Sequence, residues 1–93
     1  GEPLLQKEFL LETLKLCKTC NIHTALDTCG YVDGEYEELL KYVDLVIFDI
    51  KAIDKNKYRE ITTRNIDNSL KFLDTCQKLG KKILFSLILL ITR

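Results

Sequence analysis

With 93 residues the chain has room for one small domain and no more. Fourteen Lys and Arg balance fourteen Asp and Glu, so no basic excess points to nucleic acid, and no such partner is expected. The longest apolar run, Ile83 to Ile91 broken only by Ser86, is about half the length a membrane-spanning helix needs. It reads as a buried strand, and no membrane association is expected.

The chain opens Gly1-Glu2-Pro3, with neither a basic n-region nor an initiator Met; no signal peptide is expected, and the segment reads as the middle of something longer. From Gln6 to about Cys20, Phe9, Leu10, Leu14 and Cys17 recur at helical spacing, opposite Lys7, Glu8, Glu12, Lys15 and Lys18, and Asn21 ends the helix. His23 to Asp27 reads as a short strand stopping at Thr28-Cys29-Gly30. Asp33 is placed to cap a second helix running through Leu40, with Glu35, Glu37 and Glu38 in its early turns. Leu45-Val46-Ile47-Phe48 is a continuous apolar run of the kind buried on both faces of a parallel sheet, and it ends in Asp49-Ile50-Lys51. Asp54 caps a short helical segment that includes Tyr58. A longer helix follows from about Ile66 to Leu79, with Leu70, Leu73 and Cys76 on one face and Gly80 at its stop. Ile83 to Ile91 is the last strand.

Helices alternating with apolar strands predict an α/β architecture with parallel strands and right-handed crossovers. Three strands cannot close a barrel, so residues 1–93 are expected to form one segment of a partial (β/α) barrel with exposed sheet edges. In such folds ligands gather at the carboxyl ends of the strands. Gly1-Glu2-Pro3, Asp27-Thr28-Cys29-Gly30 and Asp49-Ile50-Lys51 all fall there, on strands about 5 Å apart. Glu2, Asp27 and Asp49 offer acceptors to a cationic or hydroxyl-rich ligand, and Lys51 offers a partner to a carboxylate. Polar residues just past a strand also serve merely to cap helices and end sheets, and spacing by itself leaves both readings open.

Three blocks in order narrow the choice: Gly1-Glu2-Pro3-Leu4-Leu5-Gln6, then Ile22 to Tyr31, then Val43 to Lys51. In content and separation they resemble the glycyl-radical enzyme activating proteins, among them the pyruvate formate-lyase activating enzymes, and the resemblance runs to about Lys82. It implies a radical S-adenosylmethionine enzyme with a partial α/β barrel, anaerobic and cytoplasmic. Its [4Fe–4S] cluster, held by a C-x3-C-x2-C loop, cleaves the cofactor, and the 5′-deoxyadenosyl radical takes hydrogen from a glycine of a partner lyase. Carried onto this chain, the resemblance makes Glu2 the contact to the methionyl amino group. It places Thr28 beside the methionyl end and gives Asp27 a cation or water to hold. Asp49 accepts from the ribose hydroxyls, and Lys51 meets the cofactor carboxylate or ribose. These are cofactor-binding residues; no catalytic residue and no metal ligand is expected among the 93.

The cluster loop itself is absent from the sequence. The cysteines are Cys17, Cys20, Cys29 and Cys76, too scattered for a disulfide framework and expected as free thiols with structural roles. The resemblance also weakens towards the end, where Thr63 stands in place of a glycine, and Ser86, Ile88 and Ile91-Thr92 in place of an arginine and two prolines. The chain by itself is therefore expected to be catalytically silent. The competing expectation is a non-catalytic α/β binding module that self-associates through its open sheet edges.

Overall fold

The computed structural model describes residues 2–52 and 63–89. A 3-10 turn, Pro3–Gln6, leads into α1, Lys7–Thr19; β1, Ala25–Thr28, a single helical turn α2, Glu37–Leu40, and β2, Leu45–Ala52, follow. The chain continues with α3, Thr63–Lys78, and β3, Lys82–Leu89. The expected segment around Asp54 and Tyr58, and the end of the last strand at Ile91, lie outside the described residues. The three strands form one parallel sheet in the order β1-β2-β3, as the helix–strand alternation requires.

Both long helices end in the same device. Asn21 and Gly80 take φ values of 60° and 66°, and the residue after each donates back five positions. Ile22 N–H reaches the Cys17 carbonyl at 2.8 Å, and Lys81 N–H reaches that of Cys76 at 3.0 Å. This Schellman closure turns each helix directly into the strand that follows. α2 departs from expectation. Asp33 does not cap it; the helix starts only at Glu37, with Tyr36 at its N-cap and no side-chain cap. Gly34, at φ 155°, breaks the helical path, and the Tyr36 hydroxyl instead donates to the Val32 carbonyl at 2.8 Å.

Sheet alternation decides what is buried. Leu26, Thr28, Val46 and Phe48 share one face and are buried, packed with Leu14, Leu39, Leu40, Val43, Phe72 and Cys76 from the helical layer. On the other face Ala25 and Asp27 are exposed, and Leu45, Ile47 and Asp49 are half-buried. The expectation that Leu45–Phe48 is buried on both faces is thus corrected: Leu45 and Ile47 are half-buried, because among the described residues the helices cover only the other face. The last strand is corrected likewise. β3 is an outer strand, and Leu84 and Phe85, on opposite faces, are each 56% exposed. Two helical positions also differ from their assigned faces: Phe9 and Leu70 point to solvent, while Phe72, beside Cys76, fills the core.

Candidate ligand site at the carboxyl ends of the strands

Because α1 enters from the carboxyl end of the sheet, Glu2 arrives over the tip of β1. It caps the 3-10 turn through the Leu4 N–H at 3.4 Å, while Pro3 contributes the fixed φ suited to a first helical position. The other carboxylate oxygen, Oε1, accepts from the Thr28 hydroxyl and from the Cys29 N–H at 3.0 Å. Thr28 is 2% exposed and its Oγ1 also accepts from the Gly30 N–H at 3.0 Å. The first sequence block is thereby tied to the second across 26 residues.

Asp27 and Asp49 stand on the open face of adjacent strands. A hydrogen bond between the two carboxyls, helped by partial burial and by the negative charges of Asp49 and Glu2, holds the Asp27 carboxyl above its ordinary value of 3.8. Three carboxylates thus face one place. Glu2, Pro3, Asp27, Thr28, Cys29, Tyr31 and Asp49 enclose a recess of about 420 Å³. Cys29, Tyr31 and Asp49 also border a second hollow, about 350 Å³, which runs between the tip of β2 and α3 and is lined mainly by Phe48, Ile50, Ile66, Leu70 and Leu73. A polar chamber beside an apolar one, both within the size range of small-molecule sites, suits a ligand with a charged and a flat end.

Of the five expected site residues, Glu2, Asp27, Thr28 and Asp49 meet at this recess. Lys51 occupies β2 two positions beyond Asp49, in register with Ile88. The Thr28 hydroxyl is engaged with Glu2 and Gly30. Sequence reasoning missed Tyr31 and the backbone N–H of Cys29; the glycine at position 30, which permits the tight turn, was the available signal. Gly30 has φ 67°, and a Cβ there would lie 2.9 Å from the Phe48 ring. His23 is exposed at the opposite end of the sheet, beside Asp44 and Lys81.

The four cysteines are free. Cys76 is fully buried, and burial pushes its thiol up to about 11. Cys20 is exposed, which corrects the expectation of a structural role for that residue. Cys17 and Cys20 lie at the end of α1 remote from the recess, and among the described residues no group of three His, Cys, Asp or Glu is placed to hold a metal. These residues therefore do not fit an iron–sulfur cluster. Nor, among the described residues, is any helix long and apolar enough to cross a membrane.

A parallel α/β segment with a recess at the strand tips is the architecture shared with barrel enzymes. The family model of the radical SAM superfamily matches residues 1–93, and the chain belongs to that superfamily. It is 49% identical over 83 residues to the pyruvate formate-lyase-activating enzyme of Clostridium pasteurianum, covering 89% of this chain and 35% of that protein. It is 39% identical over 85 residues to the trans-4-hydroxy-L-proline dehydratase activating enzyme of Clostridioides difficile, covering 89% of this chain and 28% of that one. A crystal structure of a domain of pyruvate-formate lyase-activating enzyme from Bacteroides vulgatus superposes with a TM-score of 0.72 at 25% identity, over 94% of this chain and 55% of that one. The chain spans about a third of the length of the curated relatives it matches.

Proposed function

We propose that these 93 residues are the cofactor-binding middle of a cytoplasmic radical S-adenosylmethionine activase that generates a glycyl radical on a partner lyase of the pyruvate formate-lyase type. The observation that carries this reading is the convergence of Glu2, Asp27, Thr28 and Asp49 on one recess. The raised Asp27 carboxyl supports it, since neighbouring negative charges favour a cation, and the cofactor brings both an ammonium and a sulfonium. When bound and reductively cleaved, S-adenosylmethionine supplies a 5′-deoxyadenosyl radical. The chain's own residues bind and orient. Glu2, anchored on its protein side by Thr28 and Cys29, turns a remaining lone pair to the amino group. Asp27 offers its carboxylate to the cofactor's positive charge, Asp49 is available to the ribose hydroxyls, and Lys51 pairs with the carboxylate. This positioning is the contribution expected of a cofactor site rather than of a redox centre. The [4Fe–4S] ligands lie outside these residues, so the chain alone is silent.

Isothermal titration with S-adenosylmethionine tests the reading. The chain is expected to bind the cofactor, and Glu2→Gln to weaken binding about tenfold, the loss of one charge-assisted hydrogen bond. Absence of binding, or affinity indifferent to both Glu2→Gln and Asp49→Asn, would refute it.

A second reading, a self-associating module without cofactor, draws on the exposed Leu84 and Phe85 of the outer strand. Concentration-dependent sedimentation together with no cofactor binding would favour it.

A further inference from the structure

The turn that presents Thr28 and Cys29 to the recess is gripped from behind by α3. Ser69 Oγ donates to the Cys29 carbonyl at 2.9 Å, and Asn68 Nδ2 donates to the Tyr31 carbonyl at 3.1 Å. Between these anchors Gly30 lies against the Phe48 and Phe72 rings, which are stacked with centroids 6.3 Å apart. One step along α3, Lys71 reaches the Glu35 carboxylate at 3.0 Å.

The Ser69 contact continues into the recess. The peptide group joining Cys29 and Gly30 accepts from Ser69 at its oxygen and donates from its N–H to Thr28 Oγ1. An N–H can only donate, so the Thr28 oxygen is the acceptor there and its own hydrogen is left for Glu2. A single directional chain thus runs from the Ser69 hydroxyl through the 29–30 peptide and the Thr28 hydroxyl to Oε1 of Glu2, each link polarising the next.

We infer that Ser69 is a positioning residue for the ligand recess, with Asn68 as its second anchor: by fixing the 29–30 peptide it fixes which way Thr28 donates and where the Glu2 carboxylate stands. That Glu2 then receives the cofactor ammonium rests on the function proposed above.

The experiment compares wild type, Ser69→Ala and Ser69→Thr by amide hydrogen exchange and proton shifts in the cofactor-free chain, then by titration with S-adenosylmethionine. In Ser69→Ala the Gly30 amide is expected to exchange about fivefold faster, the equivalent of one neutral hydrogen bond. The Cys29 amide, bonded to Glu2, is expected to shift upfield, and cofactor affinity to fall by a similar factor. Ser69→Thr keeps the hydroxyl and is expected to restore all three. Unchanged Gly30 exchange in Ser69→Ala, or failure of Ser69→Thr to restore it, would overturn the inference. So would faster exchange with undiminished affinity. Should wild type bind no cofactor, the function proposal fails, while the exchange data alone still decide whether Ser69 sets the turn. Asn68→Ala, at an exposed anchor, provides the same comparison read at Tyr31 and Gly30 if Ser69→Ala does not fold.

Discussion

The two ends of this sheet treat an aspartate in opposite ways. At the amino end, Asp44 accepts the Thr24 N–H at 2.8 Å, and this backbone hydrogen bond holds its carboxyl below the ordinary value of 3.8, aided by the positive charges of His23 and Lys18. At the carboxyl end, Asp27 meets Asp49 and Glu2, and its carboxyl is held above that value. Asp44 closes the connection into β1 and β2, where Asp44 and Leu45 N–H groups both reach the Thr24 carbonyl at 3.1 Å. Its charge serves the fold. The charge at Asp27 is a cost to the fold, and a strained charge of this kind marks a candidate binding end where a satisfied one marks a structural end.

The most severe way to break this comparison is to remove the support beneath the carboxyl end alone. Phe72 is 2% exposed, stacks with Phe48, and meets Tyr36 edge-on at 5.6 Å and 72°. Phe72→Ala is expected to cost about 3–5 kcal/mol, the usual range for truncating a buried phenylalanine, measured by urea denaturation. A loss well under that range would mean that the turn at Gly30 does not stand on these rings.

The same contrast sets what the sequence reveals. Parallel pairing and the helix stops at Asn21 and Gly80 were legible, because periodicity and left-handed stop residues are local signals. The short helix was not: Asp33 is a good cap in isolation, but Gly34 and the inward turn of Tyr36 override it. Phe9 and Leu70 share helical spacing with core positions, yet each stays largely exposed, Leu70 at the rim of the apolar hollow. Glu2, Asp27, Thr28 and Asp49 were legible as a set because strand tips converge by topology. The Ser69 grip on Cys29 joins residues 40 apart with no shared motif, and only the packing of α3 brings them together.

A milder test acts on the amino end. Asp44→Asn keeps the shape but gives up the charged acceptor for Thr24. A carboxyl whose folded value is depressed stabilises the fold above its unfolded value, and that contribution is lost as pH falls through the folded value. Asp44→Asn is therefore expected to lower the melting temperature slightly at pH 7, with the difference from wild type shrinking as pH falls from 3.8 through the lowered folded value. A deficit that persists in acid would assign the effect to shape rather than to charge.

The smallest expected effect has the opposite sign and bears most directly on the site. With its folded value raised by the Asp49 hydrogen bond, Asp27 binds its proton more tightly when folded. Ionised at pH 7, it burdens the native state, and the burden fades as pH falls through the raised value towards 3.8. Asp27→Asn is thus expected to raise the melting temperature slightly at pH 7 and to match wild type in acid, while weakening S-adenosylmethionine binding at pH 7. Because Asp27 is exposed, solvent screens its interactions and the stability gain is small. A variant that loses stability at pH 7 would show that the carboxylates at this end are mutually satisfied like Asp44, and the demand for a cation on which the binding argument rests would be gone.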